Sequence, residues 1–203
     1  MLVLSHQVLW GSPDDDDCWR ELETLLRSTW AHPHGGRLKV DASAVDSGDG
    51  DWCDRVYAFC FPRAGRRCMA AKGMGGSRPG IQVSKSKVKG GGRLWIVGVD
   101  VVKTTILSRL ARGAGIRFSR DLEPVYYEQL TAERKVLRYS RGRPVHRFET
   151  IPGRRNEALD CLVYAFAARQ AVTILMDGRE ADLKATPGPR VSPAVRLAEL
   201  NRA

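Results

Sequence analysis

The segment Arg154-Arg155-Asn156-Glu157-Ala158-Leu159-Asp160-Cys161 runs on into apolar Leu162, Val163, Ala165 and Phe166. Read as a helix, it puts Asp160 within one turn of Asn156, Glu157 and Tyr164. Helix neighbours three and four residues apart share a face, so Asn156, Glu157 and Asp160 converge. A lone carboxylate on the packed side of a helix costs several kcal/mol unless it is paired or coordinated. Asp160 is therefore either a costly burial or a metal ligand. A second acid bears on the choice. Val40-Asp41-Ala42-Ser43-Ala44-Val45-Asp46 reads as a strand ending in a carboxylate, with Ser47-Gly48 as the turn beyond. A strand-end acid and a helix acid brought to one place can share a divalent cation.

Other acids have structural uses that compete with a ligand role. Asp100 follows the apolar run Leu94 to Val99, where it is either a further metal-site acid or the cap of the next helix. Asp14 to Asp17 complement the positive end of a helix dipole. Asp49, Asp51 and Asp54 fall in a turn and a helix start, where acids commonly serve the backbone. Glu157 is a weaker ligand candidate, suited to orienting water.

Basic residues gather in two places. Val136 to Tyr139 and Val145 to Phe148 flank Ser140-Arg141-Gly142-Arg143-Pro144, which predicts a β-hairpin with a basic tip. Its charges are Arg138, Arg141, Arg143 and Arg147, a credible phosphate clamp. Gly73 to Gly92 is rich in Gly, Ser and Lys and reads as a flexible basic loop. Its Lys85, Lys87 and Lys89 either touch DNA or are merely solvated. No glycine run meets the GxxxxGK[ST] pattern, so no ATP site is visible.

These groups need a frame. Met1 to Trp10 predicts strand. Ser12-Pro13 predicts a helix start, with Trp19, Leu22, Leu26 and Trp30 at helical spacing behind it. His32-Pro33-His34-Gly35-Gly36 is a loop. Further elements fall at Asp51 to Cys60 (helix), Cys68 to Lys72 (strand), Leu94 to Asp100 (strand), Val101 to Ala111 (helix), Ile116 to Phe118 (strand), Tyr126 to Gln129 (helix) and Asn156 to Val172 (helix). Residues 1–176 form one domain on this reading. Residues 177–203 form a flexible tail with Pro187, Pro189 and Pro193 and a short helix around Val195 to Asn201.

The 203 residues are 43% hydrophobic, enough for a real core, and carry a net charge of +10. That balance favours a polyanionic partner, nucleic acid first. Cys18, Cys53, Cys60, Cys68 and Cys161 form no CxxC pair and are odd in number, which points to reduced thiols in a cytosol. No apolar run is long enough to span a bilayer and no signal peptide is visible, so no membrane partner is expected.

Several stretches resemble, in order, the nuclease domain of phage terminase large subunits of the lambda-like gpA family. They are Val45-Asp46-Ser47-Gly48, Val56-Tyr57-Ala58-Phe59-Cys60, Leu94-Trp95-Ile96-Val97-Gly98-Val99-Asp100, Tyr127-Glu128-Gln129-Leu130-Thr131-Ala132-Glu133 and Arg155-Asn156-Glu157-Ala158-Leu159-Asp160. The likeness extends to about Val172. It implies a ribonuclease H-like α/β fold, a mixed sheet flanked by helices. It implies an endonuclease, dependent on two Mg2+ or Mn2+ ions, that cuts concatemeric DNA during packaging in the host cytoplasm. Two ions about 3.5–4 Å apart would activate water and stabilise the leaving oxygen. The implied partners are double-stranded DNA, the terminase small subunit and the portal. By position Asp46 matches the family's second catalytic acid and Asp160 its third. The first acid should sit on an earlier strand, in a Gly-Val-Asp motif. Gly98-Val99-Asp100 has those letters but comes after Asp46. The expectation is thus a domain without its first strands and, alone, with little activity. The alternative is a non-catalytic DNA-binding or docking fragment.

Overall fold

Cys68, Met69, Ala70 and Ala71 are buried one after another. In a strand successive side chains point to opposite faces, so a run like this belongs to a sheet covered on both sides. The computed structural model bears this out. It describes residues 1–33, 35–140 and 142–185. In chain order the elements are β1 (Leu2–Val3), α1 (Asp16–Arg27), β2 (Thr29–Ala31), β3 (Arg37–Lys39), β4 (Ser43–Asp46) and α2 (Cys53–Cys60). A 3-10 stretch (Phe61–Arg66) leads to β5 (Cys68–Met74), β6 (Ile81–Lys87), β7 (Arg93–Gly98), α3 (Val99–Ala111), β8 (Arg117–Phe118) and α4 (Pro124–Leu130). The chain continues as β9 (Glu133–Ser140), β10 (Arg143–Thr150), α5 (Glu157–Ala171) and α6 (Met176–Ala185).

The protein is a mixed α/β chain with several sheets. The largest has the order β4-β5-β7-β6. β4, β5 and β7 run parallel, with Asp46 level with Ala71 and Ala71 level with Trp95. β6 closes one edge antiparallel to β7, with a register shift between Val83 and Lys87. In such sheets, functional groups collect beyond the carboxyl ends of the parallel strands. Here those ends carry Asp46, Gly73 to Gly76 and the start of α3.

The chain divides into two compact units. The first comprises Met1–Leu22 and Asp41–Val172 and holds the main sheet. Its core joins Ala71 and Val97 of the sheet to Val102 and Ile106 of α3, Tyr126 and Leu130 of α4, and Leu159, Leu162, Val163 and Phe166 of α5. α5 is the central helix, with eight of its fifteen residues buried. β9 and β10 form a separate antiparallel hairpin, paired from Arg143–Ser140 down to Thr150–Glu133. The second unit takes Glu23–Val40 and the chain from Thr173. It holds the β2–β3 pair, with Trp30 opposite Leu38, and α6, whose Leu183 is buried.

The structure corrects several expectations. Gly73 to Gly92 is not all loop. Ile81–Lys87 forms the edge strand β6, whose outward side chains are polar because nothing packs on them. Lysines on an exposed edge discourage pairing with other chains, so such a strand has a loop-like composition. Of the strand expected over Met1 to Trp10, only Leu2–Val3 forms, paired with β8. Trp10 is 82% exposed. Ser12 does not cap α1. Its Oγ accepts from the Asp14 N–H, one turn before the helix begins at Asp16. The strand expected over Val40 to Asp46 is shorter, β4 at Ser43–Asp46, and the separate strand β3 precedes it. α3 starts at Val99, so Asp100 stands inside its first turn and Gly98 takes the cap position. The start of the flexible tail expected over residues 177–203 is helical, in α6. His34, Arg141, the three tail prolines and the helix expected at Val195 to Asn201 lie outside the described residues.

Candidate active site

β4 ends at Asp46 because Ser47 fastens the turn behind it. The Ser47 N–H and Oγ both donate to the Ala71 carbonyl, at 2.7 and 2.8 Å. The Gly48 N–H then donates to Asp46 Oδ1 at 2.9 Å, which orients the carboxylate. The buried Tyr164 of α5 brings its hydroxyl close over Gly73 and within electrostatic reach of the same carboxylate. Gly73 makes room for this: a Cβ there would lie 2.9 Å from the Tyr164 hydroxyl oxygen. Burial first, then the Asp46 carboxylate, pushes the Tyr164 phenol far above its ordinary value. Tyr164 thus keeps its phenolic proton at ordinary pH.

One turn earlier on α5, Asp160 belongs to a closed polar ring. The Lys103 ammonium of α3 lies 2.7 and 2.8 Å from the two carboxylate oxygens of Glu133, at the foot of β9. It also lies 3.0 Å from Asp160 Oδ1. Asn156 Nδ2 donates to Glu133 Oε1 at 2.7 Å and to Asp160 Oδ2 at 3.0 Å. The Lys103 and Glu133 side chains are only 8% and 4% exposed, whereas that of Asp160 is 43% exposed. Partial burial raises the Asp160 pKa; Lys103 opposes this, and the negative charges of Glu133 and Asp46 add to it. Asp46 and Asp160 are therefore in electrostatic reach of each other, with Tyr164 coupled to both.

The remaining candidates sit elsewhere. Glu157 does not turn inward: it is exposed, pairs with Arg155 at 3.0 Å, and has its pKa lowered by its own helix-start N–H and by Arg155. Asp100 Oδ2 accepts from the Gly76 N–H at 2.6 Å. It borders a cavity of about 470 Å³ that also touches Gly75, Lys103, Arg147 and Phe148. Alternation along the hairpin puts Arg138, Arg143 and Arg147 on one face, together with Arg134. Arg138 pairs with Glu149 at 2.6 Å. Lys85 and Lys87 are exposed on β6, and Lys89 pairs with Asp54.

Lys103 and the role of Glu133 escaped the sequence reading. A signal existed: Lys103 falls on the buried stripe of α3 beside Val102 and Ile106, where a lone lysine must have a partner.

Asp46 is exposed and the Asp160 side chain is 43% exposed, so both carboxylates are open to solvent, and Mg2+ is commonly held by one or two carboxylates plus water. They do not fit a pair of ions. Among the described residues no three His, Cys, Asp or Glu side chains form a group able to hold a metal, and Lys103 already stands between Glu133 and Asp160.

These features define an α/β domain with an acidic site at the carboxyl ends of its parallel strands. Residues 1–180 match the family described as terminase large subunit gpA, endonuclease domain, and the chain belongs to that family. It is 28% identical over 174 residues to the terminase large subunit of Enterobacteria phage P21, covering 79% of this chain and 27% of that protein. It is 25% identical over 178 residues to the terminase large subunit of Escherichia phage lambda, covering 82% of this chain and 28% of that protein. The chain thus spans little more than a quarter of the length of these relatives. No solved structure matches it significantly.

Proposed function

We propose that this chain is the DNA-cutting module of a packaging terminase, hydrolysing phosphodiester bonds of double-stranded phage DNA in the host cytoplasm. The observation that supports this reading is that Asp46, at a strand end, and Asp160, on a core helix, lie in electrostatic reach of each other, with Tyr164 in reach of both. The family membership agrees with it. The β4-β5-β7-β6 sheet with α5 laid across it is read as ribonuclease H-like.

Asp46 and Asp160 would hold one Mg2+ or Mn2+ ion, which when bound lowers the pKa of a water and polarises the phosphate. The chain's own residues do the positioning. The Gly48 N–H fixes the Asp46 carboxylate, and the Tyr164 hydroxyl lies in electrostatic reach of it. Lys103 and Asn156 occupy one oxygen each of Asp160 and leave its open side toward solvent. Arg147, on the cavity beside Lys103, is placed to receive a phosphate, and the arginine face of the hairpin extends the phosphate track outward. The terminase small subunit and the portal are the partners this reading implies.

One observation favours the alternative of a DNA-holding fragment without chemistry: Lys103 neutralises part of the acidic site. Plasmid nicking with Mn2+, with and without chelator, separates the two. Chelator-sensitive nicking that drops about 100-fold or more in Asp46→Asn and Asp160→Asn supports cutting. Salt-sensitive DNA binding with no nicking supports the fragment, and nicking indifferent to both substitutions would discard the assignment of these acids.

A further inference from the structure

We infer that the Lys103 ammonium is a built-in cation standing in for a second metal ion, so that this site takes one divalent ion where a two-ion site would take two. The inference rests on the reading of Asp46 and Asp160 as metal-holding acids.

Three carboxylate oxygens surround Lys103 Nζ at 2.7, 2.8 and 3.0 Å: both of Glu133 and one of Asp160. These are the donors a second ion would need. An ammonium has three N–H donors and no acceptor, so the three oxygens saturate it. Asn156 Nδ2 adds a second donor here, to Glu133 Oε1 at 2.7 Å and to Asp160 Oδ2 at 3.0 Å, where a cation would need acceptors. Solvent reaches little of it, because the Lys103 side chain is 8% exposed and that of Glu133 4%.

Charge agrees with geometry. Asp46, Glu133 and Asp160 carry three negative charges and Lys103 one positive, which leaves two. One divalent ion neutralises that remainder, and a second would leave the cluster with two positive charges it cannot spread into water. A tethered ammonium also cannot diffuse away, and pulling it out would strand Glu133 as a buried, unpaired carboxylate.

The test is to count Mn2+ ions bound to the chain by calorimetry and by electron paramagnetic resonance. The wild type is expected to bind one. Lys103→Met is expected to bind two, because Glu133 and one oxygen of Asp160 lose their cation. Lys103→Met with Glu133→Gln is expected to return to one. Two ions in the wild type, or no gain in folded Lys103→Met, would overturn the inference. Glu133→Gln alone, which keeps Lys103, decides the matter even if Lys103→Met does not fold: an unchanged count supports the inference, and the loss of an ion shows Glu133 to be a ligand and overturns it. The underlying reading fails separately. If Asp46→Asn leaves the wild-type count unchanged, or the wild type binds none, Asp46 and Asp160 do not hold an ion, and the gain in Lys103→Met still decides the role of Lys103.

Discussion

Lys103 Nζ bridges both carboxylate oxygens of Glu133, at 2.7 and 2.8 Å, across thirty residues of sequence. This buried pair joins the first turns of α3 to the foot of the hairpin. Breaking such a pair from one side strands a charge, which typically costs about 3–5 kcal/mol. Lys103→Met should therefore lower unfolding stability by about that much in urea titrations. Lys103→Met with Glu133→Gln should be less damaging than the two single losses added together. Additive losses would show that the two residues do not interact.

Gly73→Ala should push Tyr164 away from Asp46. The new Cβ would lie 2.9 Å from both the Tyr164 hydroxyl oxygen and Val99 Cγ1. Overpacking of this kind costs about 1–3 kcal/mol. Thermal melts should show the loss, and Tyr164→Phe in the same background should recover part of it. Full wild-type stability in Gly73→Ala would mean that the helix and strand are not pressed together there.

The pH response of Asp160 has a definite sign. Its folded pKa is raised, so the folded state favours the protonated acid. The contribution to stability is fully present below the unfolded pKa and is lost as pH rises through the folded value. Asp160→Asn should therefore match or slightly exceed the wild type in melting temperature at pH 7, by about 1–2 °C given solvent screening of this half-open side chain. The difference should shrink as pH falls through the carboxylate range. A large destabilisation at neutral pH would show Asp160 to be a structural ion-pair partner.

The hairpin arginines should not contribute equally to DNA binding. Arg143 sits opposite Ser140, whereas Arg138 is paired with Glu149. Removing one phosphate-binding arginine should reduce the salt slope by about 1. Arg143→Ala and Arg147→Ala should each show that drop in titrations at several salt concentrations. Arg138→Ala should show less, and Arg138→Ala with Glu149→Ala no more than Arg138→Ala alone. Equal slopes for all variants and wild type would remove this face from the DNA surface.

Asp46 and Asp160 drew attention in the sequence, and Lys103 did not. Asp46 and Asp160 announced themselves because each sits at an odd place for its charge, one closing an apolar strand and the other inside an apolar helix. Lys103 is equally odd on the stripe of Val102 and Ile106, but its partners arrive from β9 and α5, and no local pattern encodes an interaction thirty or more residues away. Asn156 was expected on the face of Asp160 and bonds it there, whereas Glu157, expected on the same face, is exposed and pairs with Arg155 instead. The strand β6 was hidden for a different reason. Alternation is readable only where one face is buried, and this edge strand offers polar side chains on nearly every position.

The hairpin has a mechanical meaning. Its ladder of eight residue pairs runs from the basic end at Arg143 to Glu133, and Glu133 is held by Lys103 and Asn156. A paired ribbon is stiff along its length and pivots at its root. On the proposed reading, a pull by DNA on the arginine face would be delivered at Glu133, on the ring that also holds Asp160. On the reading proposed above, the ribbon would act as a lever arm rooted in the acidic cluster, and tension in bound DNA would bear directly on the cutting site.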